Sequence, residues 1–199
     1  LDFAKKVLER YQKTEAIWAW QVENEPFAFW FGENCDAPDK QFLLEEVNLV
    51  KSLDTKRPVI VTDSGEWSDW TAAMKSSDIL GVSLYRKSYN KAMNLYITYP
   101  FSAWMYPLKS NLVRGLFAVQ NKRTIISELQ VEPWFQQSVL DTPLDKQLKL
   151  FSVEDFKGNI QYARRTGFEE DYLWGVEWWY FMKAHGHPEY LDYAKTLFR

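Results

Sequence analysis

The 199-residue sequence contains a single cysteine, Cys35, so it cannot form an internal disulfide. It contains only two histidines, His185 and His187. They form a His-Gly-His triplet, but no third histidine is available to complete a ligand set. The triplet also falls in a predicted loop beside Pro188, so no metal site is read from it. No apolar run is long enough to span a bilayer. No basic run occurs, and the net charge of -3 argues against a nucleic-acid surface. Linkers, repeats and low-complexity segments are likewise missing. A leader or anchor would lie upstream of Leu1, so the cellular compartment stays open.

What the chain has in abundance is aromatic side chains: 10 Trp, 11 Tyr and 13 Phe, or 17 % of residues. Large rings fill cores, but their flat faces also stack on the C–H faces of sugars. Hydrophobic residues at 46 % and charged residues at 26 % complete an ordinary globular mix.

Short β-branched and aromatic runs alternate with helical periodicity along the chain. Strands are predicted over residues 16–22, 59–62, 79–85, 123–128 and 172–178. The main helices are predicted over 39–53, with Asp39 as cap, over 110–119, and from a Ser152 capping sequence to a Gly167 C-cap. Alternation of this kind implies a parallel sheet and one α/β domain spanning 1–199. The connections over 86–109 and 130–150 are long enough to be functional rim loops. An aromatic loop with Trp30, Phe31 and Glu33 would also lie on that rim, as cleft wall or as packed lid.

Two predicted strands end in carboxylates. The first ends in Asn24-Glu25-Pro26; Pro26 cannot donate to a ladder and biases Glu25 away from the helical region. The other ends in Ser127-Glu128. Glycosidic cleavage uses two carboxyl groups, one protonated to release the leaving oxygen and one ionised to attack the anomeric carbon or activate water. The two glutamates are so distant in sequence that only a fold closing on itself could bring them together. Glu132, followed by Pro133, is a rival for Glu128. Asp63 and Glu66 sit in the loop after residues 59–62, as solvated charges or as partners of sugar hydroxyls. Cys35 has no histidine in a rim motif to activate it as a nucleophile.

These motifs resemble those of clan A retaining glycoside hydrolases, most closely glycoside hydrolase family 5, the cellulase-like family. The resemblance implies a (β/α)8 TIM barrel of which this chain supplies roughly strands four to eight. A whole barrel takes ~250 residues, and the chain opens at Leu1 rather than Met, so an N-terminally truncated frame is expected. It implies Glu25 as acid/base and Glu128 as nucleophile in a double displacement on a β-linked carbohydrate. It implies Asn24 bonded to the sugar 2-hydroxyl, Tyr85 beside the nucleophile, and Trp178 at the end of the last strand as a floor under the sugar. No cofactor is needed. Ser83-Leu84-Tyr85 departs from the family in lacking a histidine two residues before the tyrosine. The competing expectation is a non-catalytic carbohydrate-binding or inactive barrel fragment.

Overall fold

The structure, a computed structural model, describes residues 1–28 and 39–198. Trp30, Phe31, Glu33 and Cys35, and with them the expected aromatic loop, lie outside the described residues. The chain divides into two compact units. Residues 1–83 and 106–125 form the first; residues 84–105 and 126–199 form the second.

The first unit opens with helix α1 (Asp2–Tyr11) and strand β1 (Trp20–Gln21), followed by α2 (Lys40–Leu53), β2 (Val59–Ser64), α3 (Thr71–Ser76) and β3 (Ile79–Leu84). β1 pairs with β2, and β2 with β3, all in parallel. Every residue of β2 and β3 is buried, as expected for strands covered on both faces. Ile60, Ile79 and Ile125 form one core cluster, with Ala19 against it. The Asp39 carboxylate accepts from the Gln41 N–H at 2.7 Å, so the predicted cap is formed. Residues 16–22 were expected to form a full strand; only two of them ladder, while the backbone continues to Val22 N–H donating to the Ile60 carbonyl at 2.9 Å.

A buried charge ties the start of this unit together. Asp54 is 6 % exposed. It accepts from the Trp20 indole at 3.0 Å, from Arg57 Nη1 at 2.6 Å, and from the N–H groups of Lys56 and Arg57. Arg57 also donates to the carbonyls of Gln12, Thr14 and Ile17. The Trp20 hydrogen bond, and then those of Arg57 and Lys56, outweigh burial and hold the Asp54 carboxyl well below the usual carboxylate range. A depressed folded pKa contributes stability above the unfolded value of ~3.9, and that contribution is lost as pH falls through the folded value. Asp54→Asn should therefore lower Tm by several degrees at pH 7, since each charge-assisted bond is worth ~1.5–3 kcal/mol. The gap to wild type should close on acidification. Thermal melts of both proteins from pH 7 down to pH 2 check this, and a gap independent of pH would exclude the charge as its source.

The second unit contains the hairpin strands β4 (Lys87–Asn90) and β5 (Leu95–Thr98), strand β7 (Asp171–Trp174) and, from Ile126 on, its parallel partner β6 (Arg123–Gln130). Helix α4 (Met105–Phe117) leads back through the first unit. Helices α5 (Leu144–Leu150), α6 (Val153–Thr166), α7 (Val176–Ala184) and α8 (Glu189–Leu197) complete the second. Its core is aromatic: Phe156 stacks on Trp179 at 5.2 Å and meets Tyr193 edge-on, while Trp178 meets Phe151 and Tyr190 edge-on. Both predicted ends of α6 are formed. Ser152 and Asp155 make a reciprocal capping box, and Gly167 closes the helix at φ 73°. The long connection over 86–109 holds the hairpin, and the one over 130–150 ends in α5.

Candidate active site

In the first unit, a buried hydroxyl organises the Asn-Glu-Pro segment. Thr62 on β2 is fully buried. Its Oγ1 accepts the Glu25 N–H at 2.9 Å and donates to Asn24 Oδ1 at 2.8 Å. Gln21 donates to the same Asn24 oxygen at 3.3 Å. Glu25 is only 7 % exposed. Its φ of 48° and the 58° of Glu23 are left-handed values that a residue with a Cβ rarely adopts, at a cost of order 1–3 kcal/mol each. The bias of Pro26 against the right-handed helical region is thus met by a tight left-handed turn, closed by Ala28 N–H donating to the Glu25 carbonyl. Glu23 also acts on Glu46 of α2. Burial first, and then the charge and hydrogen bond of Glu23, push the Glu46 carboxyl up to about 7.

The end of β2, which includes Asp63, and the loop after it differ from a rim of solvated charges. Asp63 is 2 % exposed and accepts from its neighbour Ser64 N–H at 3.0 Å. Burial raises its carboxyl to about 6. Lys109 extends over the Trp70 ring at 4.1 Å and donates to the carbonyls of Gly65 and Ser68; burial lowers its ammonium to about 8. Glu66 accepts from the Tyr106 hydroxyl at 2.7 Å. Solvated charge is therefore the wrong description of Asp63, which is part of a buried network.

In the second unit, Glu128 sits on β6 with Tyr85 beside it. The Tyr85 hydroxyl donates to Glu128 Oε2 at 2.9 Å. The Tyr85 ring meets Trp134 edge-on at 5.3 Å, and Trp134 is 37 % exposed. Two features of the strand set this geometry. The pairing register slips between Ile126 and Leu129, so β6 spends three residues where β7 spends two; such a bulge re-aims the side chains within it. Further along, the amide of buried Gln130 acts as a piece of strand backbone. It accepts the N–H groups of Arg86 at 3.0 Å and Lys87 at 2.9 Å, and donates to the Lys87 carbonyl at 2.8 Å. That clamp fixes the segment immediately after Tyr85. The Gln130 carbonyl is in turn held by Asn159 of α6 at 2.8 Å.

Trp178 does not end a strand. β7 stops at Trp174, Gly175 turns the chain at φ 137°, and Trp178 lies in α7. It is 2 % exposed, with its indole N–H on Gln147 Oε1 at 2.8 Å. Its faces meet protein rather than solvent, so the floor expected of it is corrected. Trp174, half exposed, stands at the true strand end. His185 and His187 each bond locally, to the Phe181 carbonyl and to Glu189. No helix among the described residues is long and apolar enough to cross a membrane.

Of the sequence-predicted residues, the structure thus pairs Tyr85 with Glu128, and sets Asn24 and Glu25 on Thr62. Thr62, Gln130 and Trp174 were not singled out beforehand. Only Trp174 had a readable signal, the Gly175 that follows it.

No protein-family model matches the sequence, and no curated protein matches it. Solved structures do match in fold. One is an FMN-binding β-glucuronidase from Faecalibacterium prausnitzii L2-6, with TM-score 0.54 and 13 % identity over 86 % of this chain and 24 % of the other. A GH2 β-galacturonidase from Eisenbergiella tayi bound to glycerol follows, with TM-score 0.52 and 14 % identity over 87 % of this chain and 28 % of the other. The same kind of enzyme bound to galacturonate gives TM-score 0.50 at 13 % identity. The chain therefore spans about a quarter of the length of these three structures. At this identity the likeness is one of fold. The galacturonidases are named as GH2 enzymes rather than as family 5 members.

Proposed function

We propose that this chain carries the catalytic residues of a retaining glycoside hydrolase acting on β-linked carbohydrates, and that it supplies strands four to eight of a (β/α)8 barrel. The observation that carries the reading is a strand-borne Glu128 hydrogen-bonded by a tyrosine hydroxyl beside an exposed indole. In this mechanism Glu128 attacks the anomeric carbon and the leaving oxygen takes the proton of Glu25. Water assisted by Glu25 then cleaves the glycosyl-enzyme. The two carboxyl groups of a retaining enzyme must flank the bond ~5–5.5 Å apart. Asn24 bonds the 2-hydroxyl, and Trp174 takes the platform role first assigned to Trp178. The neighbours' names widen the substrate panel to uronic acid glycosides; the family 5 resemblance keeps β-glucans in it.

The test is hydrolysis of 4-nitrophenyl β-glucoside, β-galactoside, β-glucuronide and β-galacturonide, and of β-glucans, with the first-formed anomer read by proton NMR. A β product is expected. An α product would exclude double displacement, and binding without turnover would favour the non-catalytic reading.

Tyr85→Phe removes one hydrogen bond to an ionised acceptor, worth ~1.5–3 kcal/mol. Hydrolysis should slow by ~10- to 100-fold in kcat/KM while the fold persists. Steady-state kinetics alongside a thermal melt check this; an unchanged rate would remove Tyr85 from the site.

A further inference from the structure

We propose that the cavity lined by the hairpin β4–β5 and helix α6 binds a small organic molecule through a carboxylate or phosphate group. The inference goes beyond the function proposed above and does not depend on it.

Both elements belong to the second unit, and the cavity they line holds about 330 Å³. That is the size of a small-molecule site. Three cationic side chains line it: Arg86 just ahead of β4, Lys87 on β4, and Arg165 on α6. The Arg86 guanidinium lies 3.7 Å from the centre of the Tyr162 ring, and that of Arg165 lies 5.8 Å from the same centre. The Phe101 carbonyl ties ring and guanidinium together. It accepts the Tyr162 hydroxyl at 2.6 Å and Arg86 Nη1 at 3.2 Å. Lys87 is held at both ends, its N–H on the Gln130 amide at 2.9 Å and its Nζ on the Leu150 carbonyl at 3.0 Å. The cations are thus set in place before any ligand arrives.

They are also left without counter-charge. Among the described residues, no carboxylate forms an ion pair with Arg86, Lys87 or Arg165. Two acids line the same cavity, Glu154 and Asp155, and each is engaged on α6 itself. Glu154 pairs with Lys157 at 2.7 Å. Asp155 accepts the Ser152 N–H and hydroxyl, both at 2.7 Å, in the capping box. Like charges gathered in one cavity repel, and an oxyanion among them would offset that repulsion. Guanidinium groups present paired donors that match a carboxylate or a phosphate. Gly158 leaves the room for it: it lines the cavity, and a Cβ there would meet nothing within 4 Å.

The experiment labels the glycines of the full chain and follows their amide signals by NMR at low ionic strength. The Gly158 signal is assigned by its loss in Gly158→Ala. Glucose 6-phosphate, glucuronate and glucose are titrated separately, so that phosphate, carboxylate and neutral hydroxyl are compared on one ring. At least one of the two anions should shift Gly158 saturably, and the one that does so identifies the group bound; glucose should leave the signal in place. By calorimetry, Arg165→Gln should weaken binding of that anion ~10-fold. Gly158→Leu, which fills the space and keeps every cation, should abolish it. A Gly158 signal unmoved by either anion up to about 10 mM would overturn the proposal. So would an equal shift with glucose, or wild-type affinity in both variants.

Discussion

Glu128→Ala should abolish glycoside hydrolysis, lowering kcat by roughly 10⁴-fold or more, and sodium azide should restore turnover with a product of opposite anomeric configuration. The reasoning starts from the strand. Glu128 lies in a bulged stretch of β6, its carboxylate oriented by the Tyr85 hydroxyl at 2.9 Å. Removing the carboxylate takes away the atom that would form the covalent bond to the anomeric carbon, and alanine leaves a space of carboxylate size. Azide can enter that space, attack the same carbon from the same face, and leave an α-glycosyl azide from a β-glycoside. General disruption of the fold could mimic the loss of rate but not the azide product. Chromatography or NMR of the product separates the two, with Tyr85→Phe as a milder comparison. Should Glu128→Ala retain more than a few per cent of wild-type kcat, Glu128 is not the nucleophile. Glu132→Ala then becomes the next variant to measure, since Glu132 follows the same strand.

How much of this was legible in the residues differs by element, for physical reasons. The ends of α6 were readable because capping is local: Ser152, Asp155 and Gly167 act on backbone groups within one turn of themselves. The same holds for Asp39 at the start of α2. The parallel pairing of β1, β2 and β3 followed from alternation with helices. The segment 171–179 was misread because Tyr-Leu-Trp-Gly-Val-Glu-Trp-Trp is apolar almost throughout, and such a run is compatible with strand or buried helix. Gly175, at φ 137°, splits it into a strand and a helix, and moves Trp178 from the expected strand end into the core. The hairpin β4–β5 was hidden in a connection read as loop; its turn depends on Asn94 at φ 53°, a weaker marker than glycine. Asp63 looked like a surface charge because its partner Lys109 comes from a distant helix. Thr62 and Gln130 were invisible as site residues for a similar reason. Each lies buried in a strand, and its role appears only when Glu25 and Asn24, or Arg86 and Lys87, are brought to it.

For Glu25 the expected result depends on the leaving group. Glu25→Ala should cut hydrolysis of an alkyl or unactivated aryl β-glycoside by ~10²–10⁴-fold, the usual worth of a positioned general acid. With a 2,4-dinitrophenyl glycoside the leaving oxygen needs no proton, so formation of the glycosyl-enzyme should be nearly spared. The slow step then becomes its hydrolysis, which lacks the general base, and a burst of dinitrophenolate should precede a slow steady state. Azide needs no base and should accelerate that second step, giving a β-glycosyl azide, the opposite anomer to that expected of Glu128→Ala. The alkaline limb of the wild-type pH profile, which reports the acid in its protonated form, should flatten in the variant. Glu25 is 7 % exposed and its backbone N–H is held by Thr62 in a left-handed turn, and the proposed role as proton donor depends on that fixed position. Thr62→Val should therefore reproduce part of the Glu25 phenotype, with the larger loss on the unactivated substrate. If Glu25→Ala instead slows both classes of substrate equally and yields no β-azide, Glu25 supports the fold and another group supplies the proton.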